Sequence, residues 1–151
     1  MQQLKDRVAV VTGAASGIGR AVAVLLAKKG CDVALVDLDE SGLAETRQQV
    51  EATGRRASTF ILSVADRAAM EALPARVIAE HDHVHIVVNN AGVALDASFE
   101  EASIENFEWV VGINLWGVVY GCKFFLPYLR QEEEAHIVNI SSLFGIIGVP
   151  R

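Results

Sequence analysis

Apolar residues in this chain come in short unbroken runs, and each run gives way to a longer stretch where they recur at helical spacing. Val8-Ala-Val-Val-Thr12 is the first run, and its lack of polar alternation suits a strand buried on both faces, as parallel strands are. Past the glycines Gly13, Gly17 and Gly19, the residues Ile18, Ala21, Val22, Leu25 and Leu26 fall at helical intervals. Lys28, Lys29 and Gly30 then supply a cationic last turn and a stop. A second strand over 33–36 closes at Asp37, and a polar, helix-favouring segment covers 40–53 before Gly54. A third strand over 58–62 leads to Asp66 as N-cap of a helix reaching Glu80, with Pro74 as a kink point. Residues 85–89 make a fourth strand and 136–141 a fifth. Between those two, 103–130 contain a long helix with Phe107, Val110, Val111, Val118, Cys122 and Phe125 along one face.

This alternation predicts an α/β fold, a doubly wound parallel sheet with right-handed crossovers and helices on both faces. With 151 residues, 52% of them hydrophobic, the chain has enough apolar surface for one sizeable core, so 1–151 reads as one domain. The net charge of −6 comes from interspersed acids, and no basic stripe is present to neutralise phosphates, which argues against nucleic acid as a partner. No unbroken apolar run approaches the length of a bilayer, and the start lacks the apolar core of a signal peptide, so the expectation is no membrane and a cytoplasmic location. Cys31 and Cys122 form no CxxC pattern and are expected to be small buried residues.

The first glycine turn is the strongest chemical signal. Unpaired amide groups at a helix N-terminus bind a pyrophosphate if the backbone can come close, and glycine at 13, 17 and 19 allows that. The spacing is G-x3-G-x-G, without the Lys-Ser/Thr of a P-loop. Asp37 closes the second strand, where a carboxylate meets the adenosine ribose hydroxyls. A carboxylate there repels a 2′-phosphate, and the neighbouring Leu38 and Ser16 offer no cation, so NAD is expected in preference to NADP.

The string Thr12-Gly-Ala-Ala-Ser-Gly-Ile-Gly19, together with Asn89-Asn90-Ala91-Gly92, Asn114-Leu-Trp-Gly117 and Ile137-Val-Asn-Ile-Ser-Ser142, resembles the short-chain dehydrogenase/reductase family in motif order and spacing over nearly the whole chain. The resemblance implies a Rossmann fold with strand order 3-2-1-4-5. It implies that Gly13, Ser16, Gly17, Ile18 and Gly19 line a pyrophosphate, and that Asp37 holds the adenosine ribose. Asn90, Ala91 and Gly92 would back the nicotinamide, and Asn89 would tie the central strands together. Ser63-Val64 stands where an acid-hydrophobic pair usually touches adenine, leaving a contact through the Val64 backbone, and His85 stands where an acid is common. Ser142 would hydrogen-bond the substrate oxygen and Asn114 would anchor a water of a proton relay. Asn114 also interrupts an apolar helix face, so a buried amide there would need a partner, which a strand carbonyl could equally supply.

Hydride transfer at a carbonyl carbon needs a matched proton at oxygen. In the family it comes from a Tyr-x-x-x-Lys pair beyond the serine, whereas this chain ends nine residues after Ser142. Tyr120 and Tyr128 are followed four positions on by Phe124 and Glu132, so neither forms that pair. The expectation is a dinucleotide domain truncated relative to the family, with an apolar edge at the fifth strand and an exposed face on the long helix. Two functional readings stand. The first is an NAD-dependent oxidoreductase of secondary alcohols or ketones, homo-oligomeric at full length. The second is a non-catalytic NAD-binding protein or sensor. His83 and His85 could share a face, but with no partner acid in a motif a metal is not expected. Trp109, Trp116, Phe124 and Phe125 read as packing residues, and Glu132-Glu133-Glu134 as a solvated turn.

Overall fold

The structure, a computed structural model, describes residues 4–145. Strands and helices alternate as β1 (Val8–Thr12), α1 (Gly17–Lys28), β2 (Asp32–Asp37), α2 (Glu40–Glu51), β3 (Ala57–Ile61), α3 (Arg67–His81) and β4 (Ile86–Asn89). There follow α4 (Ile104–Val111), a π-helical stretch (Gly112–Trp116), α5 (Gly117–Leu129) and β5 (His136–Asn139). All the strand pairings are parallel and the order is β3-β2-β1-β4-β5, the doubly wound Rossmann-like sheet expected.

Successive side chains of a strand point to opposite faces, and the two cores follow that alternation. Ala9, Val11, Val33, Leu35, Ile86 and Val88 pack with Ala23 and Ala27 of α1 and Leu43 and Val50 of α2. Val10, Ala34, Val36 and Val87 pack with Met70, Leu73 and Val77 of α3 and with Phe125 and Leu129 of α5. This is why Val8–Val11 of β1 and Val33–Val36 of β2 are apolar without a break, while the polar Thr12, Asp32 and Asp37 stand at the strand ends. The chain leaves β1 toward β2 and β3, then crosses back to β4 and β5, so the direction reverses between β1 and β4. A crevice at the strands' carboxyl ends opens at that point.

Helix starts follow their caps. Asp66 accepts the Ala69 N–H at 3.1 Å, and Ser103 and Asn106 form a reciprocal capping box at the start of α4. Pro74 is buried within α3, which continues through it.

Four expectations change. The buried face of α1 is Gly19, Ala23 and Ala27, while Ile18 and Leu25 are more than half exposed. The fully covered residues are thus the small ones, and Val22 and Leu26 pack only partly against that core. The long helix is interrupted by the π-helical stretch, whose wider turn shifts every later residue around the axis. Of the expected stripe, Val111, which precedes that stretch, is exposed, and only Phe125 is fully buried. Trp109 and Trp116 are about half exposed rather than packed inside, Trp116 stacking on Tyr120. Finally, Ile104–Leu129 is long and apolar enough, by length and composition, to cross a membrane. Asn114 and Lys123 break the apolar run without offsetting its many Val, Leu and Phe residues, which an unbroken-run criterion misses. Here that helix rests on the sheet through Gly117, Gly121, Phe125 and Leu129. As expected, β5 is an edge strand, with Val138 on it and Ile140 just beyond it exposed.

Candidate functional site

After Thr12 the chain turns through Gly13, at φ +66°, and reaches α1 at Gly17, at φ +53°. The three glycines do different jobs. A Cβ on Gly19 would collide with the Gly13 carbonyl oxygen, and one on Gly13 would lie 2.8 Å from Asn90 Nδ2 and 2.9 Å from Ala91 Cα. Those two positions let the turn close on itself and on the end of β4. A Cβ on Gly17 would meet nothing within 4 Å, so only this glycine keeps open the space in front of the helix. The N-cap, Ser16, makes no side-chain capping bond, which leaves the first amide groups of α1 to other acceptors.

The turn is tied to its neighbours by polar groups. The Thr12 hydroxyl accepts the N–H groups of Asn90 and Ala91, each at 3.0 Å. The Asn90 side-chain amide donates to the carbonyls of Thr12 at 2.9 Å and Gly13 at 3.3 Å. The Ala14 N–H donates to the Val36 carbonyl at 3.1 Å. The Asp37 carboxylate accepts three backbone N–H groups: Ala15 at 3.0 Å, Leu38 at 2.7 Å and Asp39 at 3.2 Å. Asp37 thus locks the β2 end to the glycine turn, and its four acceptor positions leave room for a further donor.

These elements enclose a cavity of about 420 Å3, a volume typical of small-molecule sites. Gly13, Ser16, Gly17, Ile18, Gly19, Asp37, Val64, Asn90, Ala91 and Gly92, every cofactor position singled out in the sequence, line it. Val36, Leu38, Leu62, Val93 and Ile113 line it as well. Sequence reasoning missed these five because apolar residues at strand ends (Val36, Leu38, Leu62), in the loop after β4 (Val93) and in the long helix (Ile113) look like core until the fold places them at the crevice. Leu38, 64% exposed beside Asp37, is the one a pattern could have flagged. Ser63 also lines the cavity, and its hydroxyl accepts the Ala65 N–H at 3.2 Å. The Val64 side chain is buried at the point where α5 approaches through Gly117.

The two expected catalytic positions lie outside that lining. Asn114 sits in the π-helical stretch, exposed rather than buried, and its amide is paired twice with one residue. Its Oδ1 accepts the Val93 N–H at 2.9 Å and its Nδ2 donates to the Val93 carbonyl at 2.8 Å. The partner of this amide is therefore a loop, not a strand. Ser142 is exposed just beyond β5, its carbonyl accepting the Gly145 N–H at 3.0 Å. Asn89 does join two strands, donating to Asn139 Oδ1 of β5 at 2.8 Å, and Gly121 gives it room.

A glycine turn with one outward-facing glycine, an uncapped helix start and a carboxylate at the end of β2 fit a dinucleotide. Residues 7–151 match the family model described as short chain dehydrogenase. The chain belongs to this family. This short-chain dehydrogenase chain is 43% identical over 150 residues to SadH of Mycobacterium tuberculosis, covering 99% of itself and 54% of that protein. It matches the crystal structure of a short chain dehydrogenase/reductase from Burkholderia phymatum in complex with NAD, with TM-score 0.94 and 38% identity over 99% of this chain and 54% of that one. Carveol dehydrogenase from Mycobacterium avium, also in complex with NAD, matches with TM-score 0.92 and 28% identity, over 99% and 59% of the two chains. The short-chain dehydrogenase chain thus spans about half the length of these relatives.

Far from the cavity, its Glu132 is bracketed by two histidines, with His83 Nδ1 at 2.9 Å and His85 Nε2 at 3.3 Å. Glu132 is thus mostly buried, not part of a solvated turn, and the acid that the sequence did not place beside the histidines is present. The three could hold a metal ion by proximity. The Val8 N–H, however, donates to His85 Nδ1 at 3.1 Å, so the neutral ring carries its proton on Nε2, facing Glu132. A metal on Nε2 would force that proton onto Nδ1, against the Val8 N–H. Hydrogen bonding to the carboxylate is the arrangement this geometry suits. Burial holds the His85 pKa below the usual histidine value. Cys31 is buried as expected, which pushes its thiol up to about 11, whereas Cys122 is only half-buried.

Proposed function

We propose that this short-chain dehydrogenase chain binds NAD in the crevice at the carboxyl ends of β1, β2 and β4. We propose further that it serves hydride exchange between NAD and a secondary alcohol or ketone within a longer polypeptide, as a cytoplasmic homo-oligomer. The observation that carries this reading is the convergence of the glycine turn, the N-terminus of α1 and Asp37 on one cavity.

When bound, the nicotinamide ring accepts or supplies the hydride. The residues of this chain bind and orient. The amides of Ser16, Ile18 and Gly19 would face the pyrophosphate across the open space at Gly17. The free acceptor capacity of Asp37 would take an adenosine ribose hydroxyl. Placed there, the carboxylate also disfavours a 2′-phosphate by like-charge repulsion, which supports NAD over NADP. Leu62 and the Val64 backbone would flank adenine, and Asn90, Ala91 and Gly92 would back the nicotinamide. Ser142, at the end of β5, would hydrogen-bond the substrate oxygen. Asn114 holds the Val93 main chain beside the cavity, and its own main chain would order the water of a proton relay.

Calorimetric titration of this chain with NAD and with NADP tests the binding part. NAD should bind more tightly, and Asp37→Ala should weaken NAD and narrow the difference. No heat with NAD, or identical affinities before and after Asp37→Ala, would overturn it. The catalytic part is tested by assaying the longest polypeptide the gene encodes on a panel of secondary alcohols. NADH formation that Ser142→Ala abolishes is the expected result. NAD binding with no turnover on the whole panel would leave the sensor reading in its place.

A further inference from the structure

Behind the glycine turn, on the side away from the cavity, two side chains hold consecutive peptide groups. Thr46 of α2 is fully buried. Its hydroxyl lies 2.9 Å from the Ala14 carbonyl and 3.0 Å from the Gly42 carbonyl, and it accepts the Arg20 Nε–H at 2.9 Å. Because Arg20 supplies a hydrogen to the Thr46 oxygen, the single hydroxyl proton is left to point at the carbonyls. The Arg20 guanidinium of α1 also donates from Nη2 to the Ala15 carbonyl and to the Gly42 carbonyl, while Nη1 pairs with Glu45 at 3.0 Å.

A trans peptide is planar, with its C=O and N–H pointing in opposite directions. The Ala14–Ala15 peptide is therefore gripped at both ends, its oxygen by Thr46 and its N–H by Asp37 Oδ2 at 3.0 Å. In the next peptide the Ala15 oxygen faces Arg20, so the Ser16 N–H is turned the other way, toward the cavity that Ser16 lines. An apolar pair of the same shape could hold α1 against α2 without the desolvation cost of a hydroxyl and a guanidinium. What the polar pair adds is the orientation of these two peptides.

We infer that Thr46 and Arg20 are positioning residues for dinucleotide recognition, fixing the Asp37 carboxylate and the Ser16 amide from behind the turn. The inference rests on the proposed NAD site. Thr46→Val, Thr46→Ser and Arg20→Met are compared with the parent chain by calorimetry with NAD and NADP, with melting temperature measured alongside. Loss of one oriented contact corresponds to about a tenfold weakening of NAD binding, expected for Thr46→Val and for Arg20→Met. Because Asp37 is loosened too, the ratio of NAD to NADP affinity should shrink, and Thr46→Ser should restore both affinity and ratio. A purely structural contact would lower the melting temperature and leave that ratio alone. Folded variants whose affinity and ratio stay within about twofold of the parent, on the same scale, overturn the inference. If Thr46→Val does not fold, Arg20→Met decides alone, since that side chain is 26% exposed. A parent chain that binds no NAD overturns the dinucleotide reading itself, an outcome distinct from unchanged variants of a binding parent.

Discussion

The Thr12 hydroxyl accepts the backbone N–H of Asn90 at 3.0 Å, and Asn90 returns its side-chain amide to the Thr12 carbonyl at 2.9 Å. This exchange pins the end of β4 to the end of β1 at the point where the sheet's winding reverses. It takes the place of a strand ladder that has run out of residues.

Thr12→Val keeps the shape of the side chain and removes its oxygen, leaving the N–H groups of Asn90 and Ala91 without their acceptor. The expected cost is about 2 kcal/mol, since unmade bonds to part-buried donors lose roughly 1–3 kcal/mol. Urea unfolding checks it, and a midpoint unchanged from the parent would show that the hydroxyl does not hold the crevice together.

The glycines of the turn should separate by phenotype. Gly19→Ala places a methyl on the Gly13 carbonyl and should prevent the turn from closing, seen as a strongly lowered melting temperature. Gly17→Ala has room for its methyl but must hold φ +53°, a strain of about 1–2 kcal/mol. Under the proposed NAD site, its main effect should be weaker NAD binding, because the methyl enters the open space in front of α1. Equal stability losses in the two variants would remove the distinction.

Mild acid should destabilise the fold through two buried histidines. His81 is buried with Nε2 2.7 Å from Ser58 Oγ, and burial lowers its pKa as it does that of His85. A lowered histidine pKa means that the folded state favours the neutral ring. Stability is therefore full above the ordinary histidine value of about 6.5 and falls as the pH drops toward the folded-state values. Melting temperatures should decline as the pH drops below about 6.5, and His81→Gln should remove part of the slope. A flat profile, or a slope untouched by His81→Gln, counts against it.

Asn114→Ala removes both bonds to Val93. For an exposed pair the stability cost should be small, about 1 kcal/mol. The larger effect should be faster hydrogen exchange at the Val93 amide. Unchanged exchange at that amide would show that Asn114 does not hold this loop.

Much of this was legible in the residues. Unbroken runs such as Val8–Thr12 announce strands buried on both faces, because a half-exposed strand would alternate. Gly13, Gly17, Gly19 and Asp37 marked the cavity, because backbone approach and a carboxylate at a strand end are needs that few residue types meet. The sequence could not apportion the glycines. Whether a missing Cβ serves a ligand or a neighbouring carbonyl depends on what lies opposite, and for Gly13 and Gly19 that is the chain itself. Nor could it find Thr46 and Arg20, ordinary polar residues of two helices until α1 and α2 are set side by side, or Glu132, 49 positions from the His83 it pairs with. The π-helical stretch lay outside its reach for a related reason. Helical periodicity fixes which side chains share a face only while each turn holds the same number of residues, and one wider turn around Asn114 is invisible until the backbone is traced.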